Sequence, residues 1–253
     1  MIRLVRGEFL KLRTTQVWFW LLVGTIALSA LLMVGGIAPS DGVRSADKVP
    51  DLLGSYVTAP GYIFVFVLGV LAVTTEYRYE TITPTVLQTP SRWSIISAKL
   101  IAYSIVAVLF ALVAILVELA VAVPWLSSKN VSVDLGNGEV QHALLGVFGV
   151  VVLFGIIGLG VGALLRNQIV AVVVGIVFLL VVQNIILIIP GVRNAWPYTP
   201  NGGLQAIMHT TGSTQVVDNV HLVATGAGVL VLLLWAVIPA IAGAAVTMNR
   251  DIT

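Results

Sequence analysis

The chain has 253 residues, 58% of them hydrophobic and only 9% charged, with a mean hydropathy of +1.05. A soluble domain carries about 25% charged residues, so a fold of this composition has too little polar surface to cover its apolar atoms and must face lipid; a cytosolic enzyme or nucleic-acid binder is excluded. The formal net charge of +2 comes from scattered basic residues rather than a cluster, and the absence of cysteine excludes disulfides, thiol catalysis and thiolate metal sites.

Residues 1–16, MIRLVRGEFLKLRTTQ, place Ile2, Val5, Phe9 and Leu12 at helical spacing, with Arg3, Arg6, Lys11 and Arg13 on or beside the other flank. The spacing predicts a short interfacial helix along the inner leaflet; a plain positive-inside anchor is the competing reading. Six apolar stretches follow, at residues 17–37, 56–75, 97–123, 142–165, 169–189 and 222–248, each long enough to cross a bilayer as a helix of about 20 residues. The first is longer than a signal-peptide core of about 7–15 residues and has no obvious cleavage site, so it is expected to stay as a span. In the second, Tyr62 and Phe66 lie four apart and present an aromatic face to a neighbouring helix, to lipid or to an apolar ligand.

Between the second and third stretches, residues 76–93 form the most polar and most patterned connection. Thr83 before Pro84 reads as an N-cap followed by proline at the first helical position, and Thr89 before Pro90 repeats the signal. A short helix is therefore expected across this loop, and its punctuation suits docking of a cytoplasmic partner better than the mere reversal seen at Arg166, Asn167 and Gln168. Glu118 is the only acid inside a span, and its distance from residue 97 puts it about 32 Å up a helix rising about 1.5 Å per residue, near the outer interface, as a snorkelling or water-facing carboxylate. In the fourth stretch Gly158 and Gly162, and in the sixth Ala236, Ala240 and Ala244, have the four-residue spacing that lets membrane helices approach closely. Gln183 and Asn184 fall in the outer half of the fifth and would either bond neighbouring helices or line a cavity. The outer loop, residues 190–221, holds Trp196, Pro197, Tyr198 and Pro200 and then the apolar run 204–208, which suits a re-entrant helix dipping into the outer leaflet.

An orientation with both termini cytoplasmic puts nine of the basic residues inside, Arg3, Arg6, Lys11, Arg13, Arg78, Arg92, Lys99, Arg166 and Arg250, and leaves Arg44, Lys48, Lys129 and Arg193 outside, as the positive-inside rule asks. No connection is long enough for a second domain, so residues 1–253 are read as a single all-α transmembrane domain. No lysine follows a glycine in a GxxxxGK[ST] pattern, and the three histidines, His142, His209 and His221, form no HExxH motif. The chain is therefore not expected to bind ATP through a P-loop, to hold a metal or to act as an enzyme.

These features together resemble the permease subunits of type 2 ATP-binding-cassette transporters in their small bacterial six-span form. The resemblance is carried by GEFLKLRTT at residues 7–15, by EYRYETITPTVLQTPSRW at 76–93, by GVGALLRNQ at 160–168, by YTPNGG at 198–203 and by the closing NRDIT. It implies a multi-pass protein of the bacterial cytoplasmic membrane that pairs with a second permease, identical or paralogous. Two separate ATPase subunits would bind ATP and Mg. It further implies a coupling element received by the ATPase and built from Glu76, Arg78, Glu80, Thr81, Ile82, Thr83, Pro84, Val86, Leu87 and Gln88. The region of a substrate path through the second and fifth spans, with Tyr62, Phe66, Gln183 and Asn184 as its candidates, follows from the same resemblance. Export of a hydrophobic or amphipathic cargo, such as a drug, antibiotic, lipid or peptide, is the implied activity, with no nucleic acid involved. An ion-coupled secondary transporter and a non-transporting scaffold or sensor that recruits an ATPase are the alternatives.

Overall fold

In lipid every backbone N–H and C=O has to be satisfied within the protein, which leaves helices as the economical way for an apolar chain to cross. The computed structural model describes residues 1–37, 49–56, 58–79, 92–208 and 220–249, and among them there is no strand. The helices are α1 (Ile2–Thr15), α2 (Val17–Ile37), α3 (Val49–Tyr56), α4 (Thr58–Arg78), α5 (Arg92–Ser128) and α6 (Gly138–Leu165). The chain continues through α7 (Gln168–Val177), a π-helical turn (Phe178–Val182), α8 (Gln183–Ile188), a 3-10 turn (Arg193–Tyr198), α9 (Pro200–Met208) and α10 (Thr225–Asn249). Among the described residues, six helical stretches are long and apolar enough to cross a membrane: α2, α4, α5, α6, the α7-to-α8 run and α10. The chain is thus an all-α, multi-pass membrane protein.

Because these spans are apolar nearly all round, hydrophobicity cannot choose which face packs inward. Small residues do so instead. The central helix is α6, which packs most extensively on α4 and then on α10. Its Gly158 lies against the Phe66 backbone, and a Cβ on its Gly162 would come within 2.7 Å of the Val70 carbonyl. From the other side, Gly69 of α4 meets the Gly155 and Leu159 backbone. On a different face of α6, a Cβ on Gly160 would stand 2.8 Å from the Ala240 nitrogen of α10, beside Ala236. The glycine and alanine spacings visible in the sequence therefore act inside one chain.

The core runs along α4, α5 and α6, with Phe66, Phe110 and Phe154 among its fully buried side chains, whereas much of the run from α7 through the π-helical turn to α8 is exposed, including Val173, Leu180 and Ile185. A smaller cluster at the end of the bundle opposite the N-terminus joins Met33 and Ile37 of α2 to Leu52 and Leu53 of α3 and Leu126 of α5. Two elements at this end differ from expectation. Helix α3 has no counterpart in the six-span reading, because its eight residues carry too few apolar positions to register as an element. Helix α5 continues through Pro124 to Ser128, where the Ser127 and Ser128 hydroxyls donate to the Pro124 and Trp125 carbonyls. The Lys129 ammonium then donates to the Ile37 carbonyl at 2.7 Å, capping the C-terminus of α2.

Candidate functional site

At the N-terminal end of the bundle, four charges sit where hydropathy alone would put none. Helix α1 forms because its apolar and charged residues segregate, but the face it buries is centred on Glu8 and Leu12, while Ile2 and Leu10 are exposed. Of the expected stripe, Leu12 is buried and Val5 and Phe9 pack against the core, so most of it faces the bundle, with the Glu8 carboxylate among them. The last turn of α4 supplies Glu76 and the second turn of α5 supplies Lys99; Glu8, Glu76 and Lys99 are all buried. The Lys99 ammonium donates to Glu8 Oε2 at 2.6 Å, to Glu76 Oε1 at 2.9 Å and to the Ala72 carbonyl at 3.0 Å. Lys11 completes the ring, donating to Glu8 Oε1 at 2.8 Å and to Glu76 Oε1 at 2.7 Å.

Two carboxylates against two ammonium groups leave the quartet neutral, which is the condition under which buried charge is tolerated. Burial works to lower the Lys11 pKa, but hydrogen bonds to Glu76 and Glu8 and their negative charges outweigh it, so the ammonium is held above its ordinary value. The Tyr103 ring lies 5.6 Å from the Lys99 ammonium, in cation–π range. Around this knot, Arg78 Nη1 donates to Gln168 Oε1 at 3.2 Å, and the Arg166 guanidinium stands 5.3 Å from the Tyr77 ring. Arg166 itself turns the chain between α6 and α7 with a left-handed φ of 55°, and Asn167 caps α7 by accepting from the Val170 N–H. A cavity of about 380 Å³ opens beside the quartet, between α1, α2, α4 and α5.

Of the ten coupling residues expected from the sequence, Glu76 and Arg78 are described, and Glu80, Thr81, Ile82, Thr83, Pro84, Val86, Leu87 and Gln88 lie outside the described residues. Glu76 faces inward into the quartet rather than outward. The four substrate-path candidates do not share a surface in the single chain. Tyr62 is buried against Phe154, with ring centroids 4.5 Å apart, and the Phe66 ring fills the space beside Gly175 of α7. Gln183 is fully buried, and only Asn184 is exposed, with its amide donating to the Leu180 carbonyl.

Gln183 nevertheless has a defined task. Its Oε1 accepts the Asn201 backbone N–H at 2.8 Å, one of the first-turn donors of α9 that no helix can satisfy internally. Asn201 returns the contact, its side-chain amide donating to the Leu179 carbonyl inside the π-helical turn at 2.9 Å. Helix α9 folds back into the bundle, and Gly203 and Gly228 allow its close approach to α10.

Glu118 departs from expectation. It is fully buried, and neither carboxylate oxygen has a hydrogen-bond partner, so it is not a snorkelling or water-facing group. Ala114 and Ala122, one helical turn to either side, belong to the apolar cluster at the far end. The sequence reading passed over Glu8 and Lys99 as topological charges. The available signal was Lys99 falling inside the third apolar stretch, where a cation requires a partner. No protein-family model matches the chain, and no curated protein is significantly similar to it.

Proposed function

We propose that the chain is the transmembrane subunit of a bacterial ATP-binding-cassette exporter, working in the cytoplasmic membrane with a second permease and two separate ATPase subunits that bind ATP and Mg. The observation that carries this reading is the buried quartet. Residues 76–93, the stretch that resembles a coupling element, begin at Glu76 in the last turn of α4 and end in the first turn of α5, one turn or so before Lys99, and both residues are bonded to Glu8 of α1 or to its Lys11 neighbour. A push on that connection acts on three helices at once, because moving α4 or α5 away leaves a buried charge unmatched and moving α1 breaks both the Lys99–Glu8 and the Lys11–Glu76 bonds. Such a knot suits a subunit driven from outside by nucleotide-dependent movement of a partner. The extended apolar surface of α7 and α8 suits contact with lipid or with the second permease, and the scarcity of charge along the spans suits a hydrophobic or amphipathic cargo.

The test is affinity purification of the chain expressed with its native neighbouring genes, with mass spectrometry of what accompanies it. Recovery of a P-loop ATPase in about equal amount, lost when residues 81–88 are replaced, supports the reading; recovery of the chain alone overturns it. Glu118 favours a second reading, an ion-coupled transporter, since an unpartnered carboxylate within a span is a group that could carry a proton. Transport in proteoliposomes distinguishes the two: dependence on ATP and the partner ATPase selects the exporter, and dependence on an imposed proton gradient without ATPase selects the ion-coupled carrier.

A further inference from the structure

We propose that the cavity of about 380 Å³ beside the charge quartet binds the headgroup of an anionic membrane phospholipid. Its walls combine two chemistries. Trp18, Leu68 and Leu71 give an apolar side; Lys11, Thr15, Thr75 and Gln168 give a polar one, and Glu76 and Lys99 reach it already bonded to each other. The two lysines at its edge differ in what they have left to offer. Lys99 spends all three ammonium donors, on Glu8, Glu76 and the Ala72 carbonyl. Lys11 spends two, on the same carboxylates, and its side chain stays 41% exposed, so one donor is free for an incoming acceptor.

The sign of the ligand follows from the surrounding charge. Among the described residues at this end, Glu8 and Glu76 are the only acids, and the two lysines neutralise them; Arg78 then leaves the mouth net positive. Arg78 reaches it directly through its bond to Gln168. The level of the cavity identifies the source of the anion. Trp18, Phe19 and Trp20 open α2 in succession, the latter two well exposed, and such aromatic clusters sit at the headgroup depth of a bilayer. A phosphate at that depth is carried by a lipid, whose chains would lie against Trp18 and Leu71. The inference rests on the membrane-spanning fold alone and is independent of the transport reading.

The experiment titrates the purified full chain in detergent with dioctanoyl phosphatidylglycerol, dioctanoyl phosphatidylcholine or inorganic phosphate, and counts bound ligand by native mass spectrometry. The anionic lipid is expected to bind about tenfold more tightly than the zwitterionic one, the worth of one charge-assisted hydrogen bond, and millimolar inorganic phosphate should not displace it. Lys11→Gln should erase the preference and Lys11→Arg should keep it. Thr75→Phe, which fills the cavity and leaves all four charges in place, should lower binding of both lipids, whereas Arg6→Gln on the exposed side of α1 should change neither. Equal binding of the two lipids, an effect of Arg6→Gln as large as that of Lys11→Gln, or displacement by phosphate at lipid-like concentration would each overturn the proposal.

Discussion

Replacing Lys99 with methionine removes a cation that two buried carboxylates share and leaves the quartet with a surplus negative charge. The Lys99 side chain is 9% exposed, and those of Glu8 and Glu76 are 7% and 9% exposed, so little water can reach the orphaned group. Breaking a buried pair in this way costs about 3–5 kcal/mol, and the methionine keeps most of the apolar contact of the lysine stem. Lys11→Met removes a charge from the same carboxylates, but its side chain is 41% exposed, so the interaction is screened and the loss should be on the order of 1 kcal/mol.

The assay is reversible unfolding in mixed micelles titrated with dodecyl sulfate, followed by circular dichroism. The decisive variant is the double replacement Lys99→Met with Glu76→Gln, which restores neutrality by leaving Glu8 opposite Lys11. It should recover more than half of the single-variant loss, giving a coupling energy of about 1–3 kcal/mol for residues in contact. Should Lys99→Met cost no more than Lys11→Met, or the double variant be no more stable than Lys99→Met alone, the quartet would not be holding the three helices together.

The raised Lys11 pKa stabilises the docking of α1 at every pH below the ordinary lysine range near about 10.4, and that contribution is lost as pH rises through the higher folded value. Limited proteolysis at Arg13 should accordingly increase only in strongly alkaline buffer, and wild type and Lys11→Met should converge there. Gly158→Leu should destabilise by about 1–3 kcal/mol or more through overpacking against the Phe66 backbone, while Gly149→Ala, with open space around its Cβ, should be neutral or slightly stabilising in the same unfolding assay. Asn201→Ala should remove the side-chain donor to the Leu179 carbonyl and loosen α9, seen as faster amide exchange over residues 201–208 with α4 and α6 unchanged. Because the chain has no cysteine, Ser91→Cys can be labelled alone; an impermeant thiol reagent should reach it only from the cytoplasmic side, and labelling from outside would reverse the assigned orientation.

The spans were legible because bilayer thickness fixes both the length and the composition of a crossing helix, so α2 and α6 end within a few residues of where hydropathy ends them. The contact faces of α6 were legible for a related reason: a glycine row carries its own packing information in a helix that is otherwise uniformly apolar. Helix α3 was not, because a single two-turn helix of eight residues with Pro50, Asp51, Gly54 and Ser55 among them looks like any loop. Neither was the role of Gln183, which caps a helix 18 positions away. Periodicity reports on neighbours along one helix and says nothing of a partner on another.

The same limit explains the quartet. Its bonds join residues 23, 65 and 91 positions apart, and in the sequence each charge had a sufficient explanation already, as part of a positive-inside bias or of a polar loop. What changes that assessment is burial. A lysine on a loop needs no partner, whereas one in the second turn of a membrane helix needs its charge matched, and Lys99 finds one carboxylate on α4, where residues 76–93 begin, and the other on α1. Glu118 is the counter-case at the opposite end, equally buried but with neither carboxylate oxygen hydrogen-bonded. One end of the bundle is thereby fastened by paired charge and the other holds a carboxylate with no pair, so the two ends should respond differently when the helices move. The first should shift as a block, whereas the second has no such ion pair among its described residues.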